Sequence, residues 1–163
     1  MTLQNDVLKT AVRPALAQLE PLIQYSPVAH ALVIGTGLVE SQYNALLQGG
    51  GGPALGFWQM EPATYNDIVK NFIMYREGLA TKISSIVGYE ITGRSQRLAT
   101  DNLLAAIMCR IQYYRSKSAL PPMDAKALSS YHKNVYNTAL GAADPLKNVP
   151  AFQRAIDLVT ANS

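Results

Sequence analysis

Between Pro27 and Glu40 the chain reads "PVAHALVIGTGLVE", with no charged side chain until its last residue. A run apolar on every face has to be enclosed by protein or by lipid. The stretch from Val28 to Val39 falls short of the roughly 20 residues a membrane-spanning helix needs, so it reads as a buried core helix. Ser26 before Pro27 supplies an N-cap and a first-turn proline, and the pattern runs to about Glu40 or Ser41. Gly35 and Gly37 each cost a helix interior about 1 kcal/mol against alanine. Something must approach closely there, either another helix or a ligand. A carboxylate at the mouth of such a segment is poorly solvated, and that setting suits an acid.

Nearly every other element also reads as helix. Leu3, Val7, Leu8, Ala11, Val12, Ala15, Leu16 and Leu19 recur at three- and four-residue steps. They predict an amphipathic first helix interrupted or bent at Pro14 and ended near Pro21. "NALLQGGGGP" (Asn44–Pro53) reads as a loop, either a surface connector or a rim over a cleft. "EPAT" turns into a helix through "YNDIVKNFIMYREGLATKISSIV", with Gly78 and Gly88 as candidate breaks. "GYEITGRS" (Gly88–Ser95) reads as a loop in preference to a hairpin. A long helix is expected from about Thr100 to Lys117, starting at "TDNL". Asp124 should cap another helix across "AKALSSYHKNVYNTAL", closed by Gly141, and "AFQRAIDLV" should form the last. The expected fold is mainly α, a single domain over 1–163 with at most a short β-hairpin, residues 1–25 packing on it as a helical extension.

With 48% hydrophobic and 15% charged residues, 163 residues suffice for one core that buries roughly two-thirds of the unfolded surface. The net charge of +3 is spread along the chain without a basic block, which argues against a nucleic-acid partner but suits an anionic polymer such as a cell wall. Cys109 stands alone within "LLAAIMCRIQYY" and reads as a small buried hydrophobe. His30 reads as a core histidine. His30 and His132 lack the spacing of a zinc site, so no metal is expected. The glycine runs lack the lysine of a phosphate loop, so neither a nucleotide nor any other cofactor is expected. No basic region followed by an apolar stretch opens the chain, so no secretory signal is expected.

Three motifs, "GTGLVESQYN", "GPALGFWQMEPAT" and "ALSSYHKNVYN", resemble in order and spacing those of the soluble lytic transglycosylase and goose-type lysozyme group. There a helix ends in Glu-Ser, a Gly-Leu-Met-Gln-Ile-x-Pro-x-Thr segment follows, and a later helix bears Ala-Tyr-Asn. The resemblance spans about Val28 to Gly141 and implies a lysozyme-like domain. By position, Glu40 resembles the family's single catalytic acid, Ser41 the hydroxyl beside the cleft, and Gln59 the glutamine lining the sugar sites. The third motif aligns in two ways, through Tyr131 ("ALSSY") or through Tyr136 and Asn137 ("VYN"). Five residues on an α-helix differ by about 140° in direction, so one cleft should take one of these tyrosines. The "ALxxY" run favours Tyr131. Trp58 replaces the usual methionine and would either stack on a pyranose face or sit in the core. Glu61, where the family has an apolar residue, is either a helix N-terminal charge or a second catalytic carboxylate.

The resemblance implies cleavage of the MurNAc–GlcNAc bond of peptidoglycan. A transglycosylase needs one glutamate, because the sugar's own C6 hydroxyl closes a 1,6-anhydro ring. A hydrolase would use Glu40 with Glu61. A third expectation is a non-catalytic phage structural or wall-binding protein of the same fold. A compact chain of this kind resembles a bacteriophage lysin. As an endolysin it would wait in the host cytoplasm before reaching the periplasm and wall; as a structural lysin it would ride with virion proteins. A monomer is expected.

Overall fold

The computed structural model describes residues 3–44, 53–137 and 143–161. Its secondary structure is helical, and among the described residues the only β pairing is an isolated bridge between Leu55 and Met60. Gly49–Gly52 and Gly141 lie outside the described residues, so the expectations placed on them have no counterpart here.

The first helix is continuous from α1 (Leu3–Val7) through a π-helical turn (Leu8–Val12) into α2 (Arg13–Gln18). Pro14 lacks an N–H and its ring crowds the carbonyl four residues back. The expected interruption takes the form of that π turn, which widens the helix just upstream of the ring. Buried Val7, Ala11, Val12, Ala15, Leu16 and Leu19 join the same core as the rest of the chain.

Helix α3 (Pro27–Glu40) is capped by Ser26 Oγ, which accepts from the Ala29 amide at 3.3 Å. It is enclosed from Ala29 to Gly37, as its composition demands. Helix α4 (Pro62–Asn71) leads through a 3-10 turn (Ile73–Tyr75) to α5 (Leu79–Val87). Gly78 and Gly88 both flank α5 in left-handed conformation, so both breaks are used. The following loop holds no strand: Tyr65 Oη donates to Thr92 O at 2.7 Å, and the Ile91 amide donates to Ser84 Oγ at 2.9 Å. After the short α6 (Arg97–Thr100), Asp101 caps α7 (Asn102–Tyr114) by accepting from the Leu104 amide at 3.1 Å, and Asp124 caps α8 (Ala125–Tyr131) by accepting from Ala127 at 3.0 Å.

From His132 to Asn137 the chain continues α8 as a π-helix, which the sequence did not announce, and α9 (Val149–Ala161) closes the fold. Helix α9 packs against α3 and α8, while α7 packs against α2, α3, α4 and the second π segment. At Gly35 a Cβ would collide with the Phe152 ring of α9, and at Gly37 with the Tyr43 ring. Close packing by protein side chains therefore accounts for both glycines, one through a helix and the other through the turn that follows α3.

Candidate active site

Glu40 ends α3, and the chain leaves it through a tight corner. The Ser41 amide donates back to Gly37 O and the Gln42 amide to Gly37 O and Leu38 O, and Gln42 and Tyr43 take left-handed φ values of 56° and 51°. Non-glycine residues in that region cost of order 1 kcal/mol or more each, so the surroundings must hold them there. Tyr43 supplies the hold. Its ring lies where a Gly37 side chain would stand, and its hydroxyl donates to Ile34 O at 2.8 Å.

Ser41 is 1% exposed, and its hydroxyl serves the turn by donating to Gly37 O at 3.3 Å and accepting from the Tyr43 amide at 3.1 Å. It faces inward, so the expected cleft-side hydroxyl is corrected to a corner cap.

The "LGFWQM" stretch is a compact loop pinned by two backbone bonds between Leu55 and Met60, of 2.9 and 3.2 Å. Within it Trp58 is 1% exposed, its indole N–H donating to Val33 O at 2.9 Å and its ring meeting Tyr43 edge-on. Of the two expectations for Trp58 the structure takes the core one, because a sealed ring has no face to offer a sugar. Gln59, at φ 48°, is half-buried, with its amide nitrogen donating to Gly56 O at 2.7 Å. Glu61 is exposed at the N-cap position of α4 and makes no side-chain capping bond.

The π segment completes the arrangement. His132 Nε2 lies 3.0 Å from Glu40 Oε2, with the imidazole sealed and the glutamate side chain 17% exposed. The His132 ring stacks on Tyr136, with centroids 5.7 Å apart, and leans on Phe152. Tyr136 in turn donates its hydroxyl to Trp58 O at 2.6 Å. These contacts tie the ends of all three motifs together: Glu40 to His132, His132 to Tyr136, and Tyr136 to the Trp58–Gln59 backbone. Asn137 Oδ1 accepts from Lys133 Nζ at 3.3 Å and from the Ala143 amide at 3.1 Å, which fastens the end of the segment.

Tyr131 donates to Ser118 O at 2.9 Å, whereas Tyr136 stacks on His132 beside the His132–Glu40 pair. The 140° argument assumed α geometry. Under i→i+5 hydrogen bonding five residues span close to one turn, and both rings stack on Tyr113, at 5.8 and 5.5 Å. His132 went unrecognised because it was weighed only as a metal ligand. Its signal was its place four residues before Tyr136 within the third motif.

Hydrogen-bond logic assigns the imidazole proton. His132 Nδ1 is enclosed with no partner, so a proton there would be an N–H without an acceptor. The proton therefore sits on Nε2 and is donated to Glu40 Oε2. Glu40 Oε1 has no hydrogen bond to any described residue and is not enclosed. The carboxyl is thus held by one oxygen and open at the other. Burial drives the Tyr136 hydroxyl well above its usual range, with the Cys109 thiol and Glu40 adding to the effect, so it remains a neutral donor. The Cys109 thiol beneath is likewise driven up by burial and then by the Glu40 charge, which makes it inert packing.

Among the described residues no group of His, Cys, Asp and Glu could hold a metal ion, and no helix is long and apolar enough to cross a membrane. No protein-family model, curated protein or solved structure matches the chain.

Proposed function

We propose that this protein is a peptidoglycan lytic transglycosylase with a lysozyme-like helical fold, acting as a phage lysin and cleaving the MurNAc–GlcNAc bond with Glu40 as its single acid and base. The observation that carries the reading is the half-tethered carboxyl: Oε2 fixed by a sealed imidazole, Oε1 free at the end of an apolar helix. Such a group gives a proton and takes one back without moving its anchor.

In the reaction the Oε1 proton passes to the glycosidic oxygen as the bond from C1 to that oxygen breaks. Oε1 then accepts the C6 hydroxyl proton as O6 bonds to C1. The products are a 1,6-anhydro sugar and a free hydroxyl on the leaving sugar, and Glu40 regains its proton. Because the nucleophile belongs to the substrate, proximity replaces a positioned water. This explains how one carboxyl can serve where hydrolysis with inversion needs a second one about 6.5–9.5 Å away. His132 acts as a positioning residue throughout.

The single-acid form is favoured over a Glu40–Glu61 hydrolase by the position of Glu61, exposed at the start of α4 and unsupported by any side-chain capping bond. Clearing of outer-membrane-permeabilised cells tests the assignment. Glu40→Gln should lose at least about a hundredfold in rate, the scale of removing a general acid, while Glu61→Gln should stay within about twofold. Equal clearing by Glu40→Gln and wild type would remove Glu40 from the chemistry.

A further inference from the structure

Arg110 is a second group whose chemistry is left incomplete by the fold. It sits in the middle of α7 and is 4% exposed. Its guanidinium carbon lies 5.4 Å from the centre of the Tyr114 ring. Among the described residues it forms no hydrogen bond and no ion pair, and the undescribed segments 45–52 and 138–142 contain no Asp or Glu that could supply one. A buried guanidinium carries five N–H donors and a full charge. A ring face meets the charge but none of the donors.

Arg76 approaches the same ring, its guanidinium carbon 5.3 Å from the centre and Nη2 donating to Tyr114 Oη at 3.0 Å. Two cations therefore contact one tyrosine ring. The Arg110 nitrogens are nevertheless not fully enclosed, because among the described residues the enclosed side-chain nitrogen or oxygen without a partner belongs to His132. A nearly buried guanidinium whose donors meet no protein acceptor and are not sealed off is suited to an anion.

We propose that Arg110, seated against the Tyr114 ring, forms a subsite for a carboxylate. The planar fork of a guanidinium matches a carboxylate by two parallel N–H···O bonds. The occupant is a carboxylate of the peptide stem carried by the muramic acid. That identity rests on the wall-cleaving reading, whereas the subsite itself does not. Within the core, Tyr131 lies within electrostatic reach of Arg110, and the stacked rings of Tyr131, Tyr113, Tyr136 and His132 connect this region to Glu40.

The test is titration of the intact protein, observed at the arginine Nε–Hε resonances, with the Arg110 signal assigned from its loss in Arg110→Lys. Sodium acetate should move that signal saturably, where sodium chloride at equal ionic strength does not and phosphate acts more weakly. An acetate effect no larger than that of chloride, or a phosphate effect equal to it, overturns the carboxylate subsite. A second titration, on Glu40→Gln, uses a disaccharide muropeptide and its carboxamide form. The free acid should bind at least tenfold more tightly. Equal binding of the two, with the acetate response intact, would overturn the peptide-stem occupant and count against the wall-cleaving reading while leaving the subsite standing.

Discussion

At the scale of single residues, the arrangement turns on what His132 does for Glu40. A glutamate at a helix end has three side-chain torsions to search, and the Nε2–Oε2 contact of 3.0 Å removes most of that freedom. If His132 serves by donating one hydrogen bond, a residue that donates from the same place should replace it. Glutamine carries its amide nitrogen at a reach similar to Nε2. His132→Gln should therefore keep kcat within about threefold, whereas His132→Leu should lose roughly a hundredfold in kcat with KM little changed, the cost of a misplaced catalytic group. Loss of activity in both variants with unchanged thermal stability would mean that the imidazole itself exchanges protons. Glu40 was legible as a candidate because an apolar run ends on it. His132 was not, because the feature that defines its role is a partner 92 residues away.

At the scale of elements, the caps and breaks were the most legible features. Ser26, Asp101 and Asp124 each accept an amide where an N-cap should, and Gly78 and Gly88 adopt the left-handed φ that only glycine takes without strain. Such signals are local, so a sequence contains them entire. The π segment is different. It preserves the composition of a helix while changing which residues share a face, so the argument that separated Tyr131 from Tyr136 by α-helical direction does not apply. The α3–α9 contact is likewise a product of packing, because Gly35 is small for the sake of Phe152, which is fully buried. Gly35→Ala should gain helix propensity yet lose roughly 1–3 kcal/mol overall, since the enclosed ring must shift to admit a methyl group. A urea midpoint unchanged or raised would show that α9 can move away at little cost. Phe152 also supports the His132 ring, so the same variant should lower kcat as well as stability.

At the scale of the whole molecule, one cluster of buried side chains runs from Val7 to Val159, and the N-terminal helix is part of it. Near that helix His30 is held neutral: burial, then the Arg13 charge, lowers its pKa from 6.5 to about 4, and Tyr25 Oη lies 2.9 Å from Nδ1. Between those two values the unfolded chain binds a proton that the folded chain refuses. Stability should therefore fall as the pH drops from about 6.5 to about 4, with no further loss from this group below that. Thermal melts over that range should show the Tm of wild type falling relative to His30→Asn, whose side chain does not titrate. A constant difference would contradict the assignment.

The chemistry proposed for the molecule makes its sharpest distinction in the product. Purified sacculi digested to completion and weighed as muropeptides should yield fragments ending in 1,6-anhydro sugars, each one water lighter than its reducing-end counterpart, and Glu40→Gln should release none of them. Reducing-end fragments from the wild-type protein would show that water, not the C6 hydroxyl, is the nucleophile, and would contradict the single-carboxyl account.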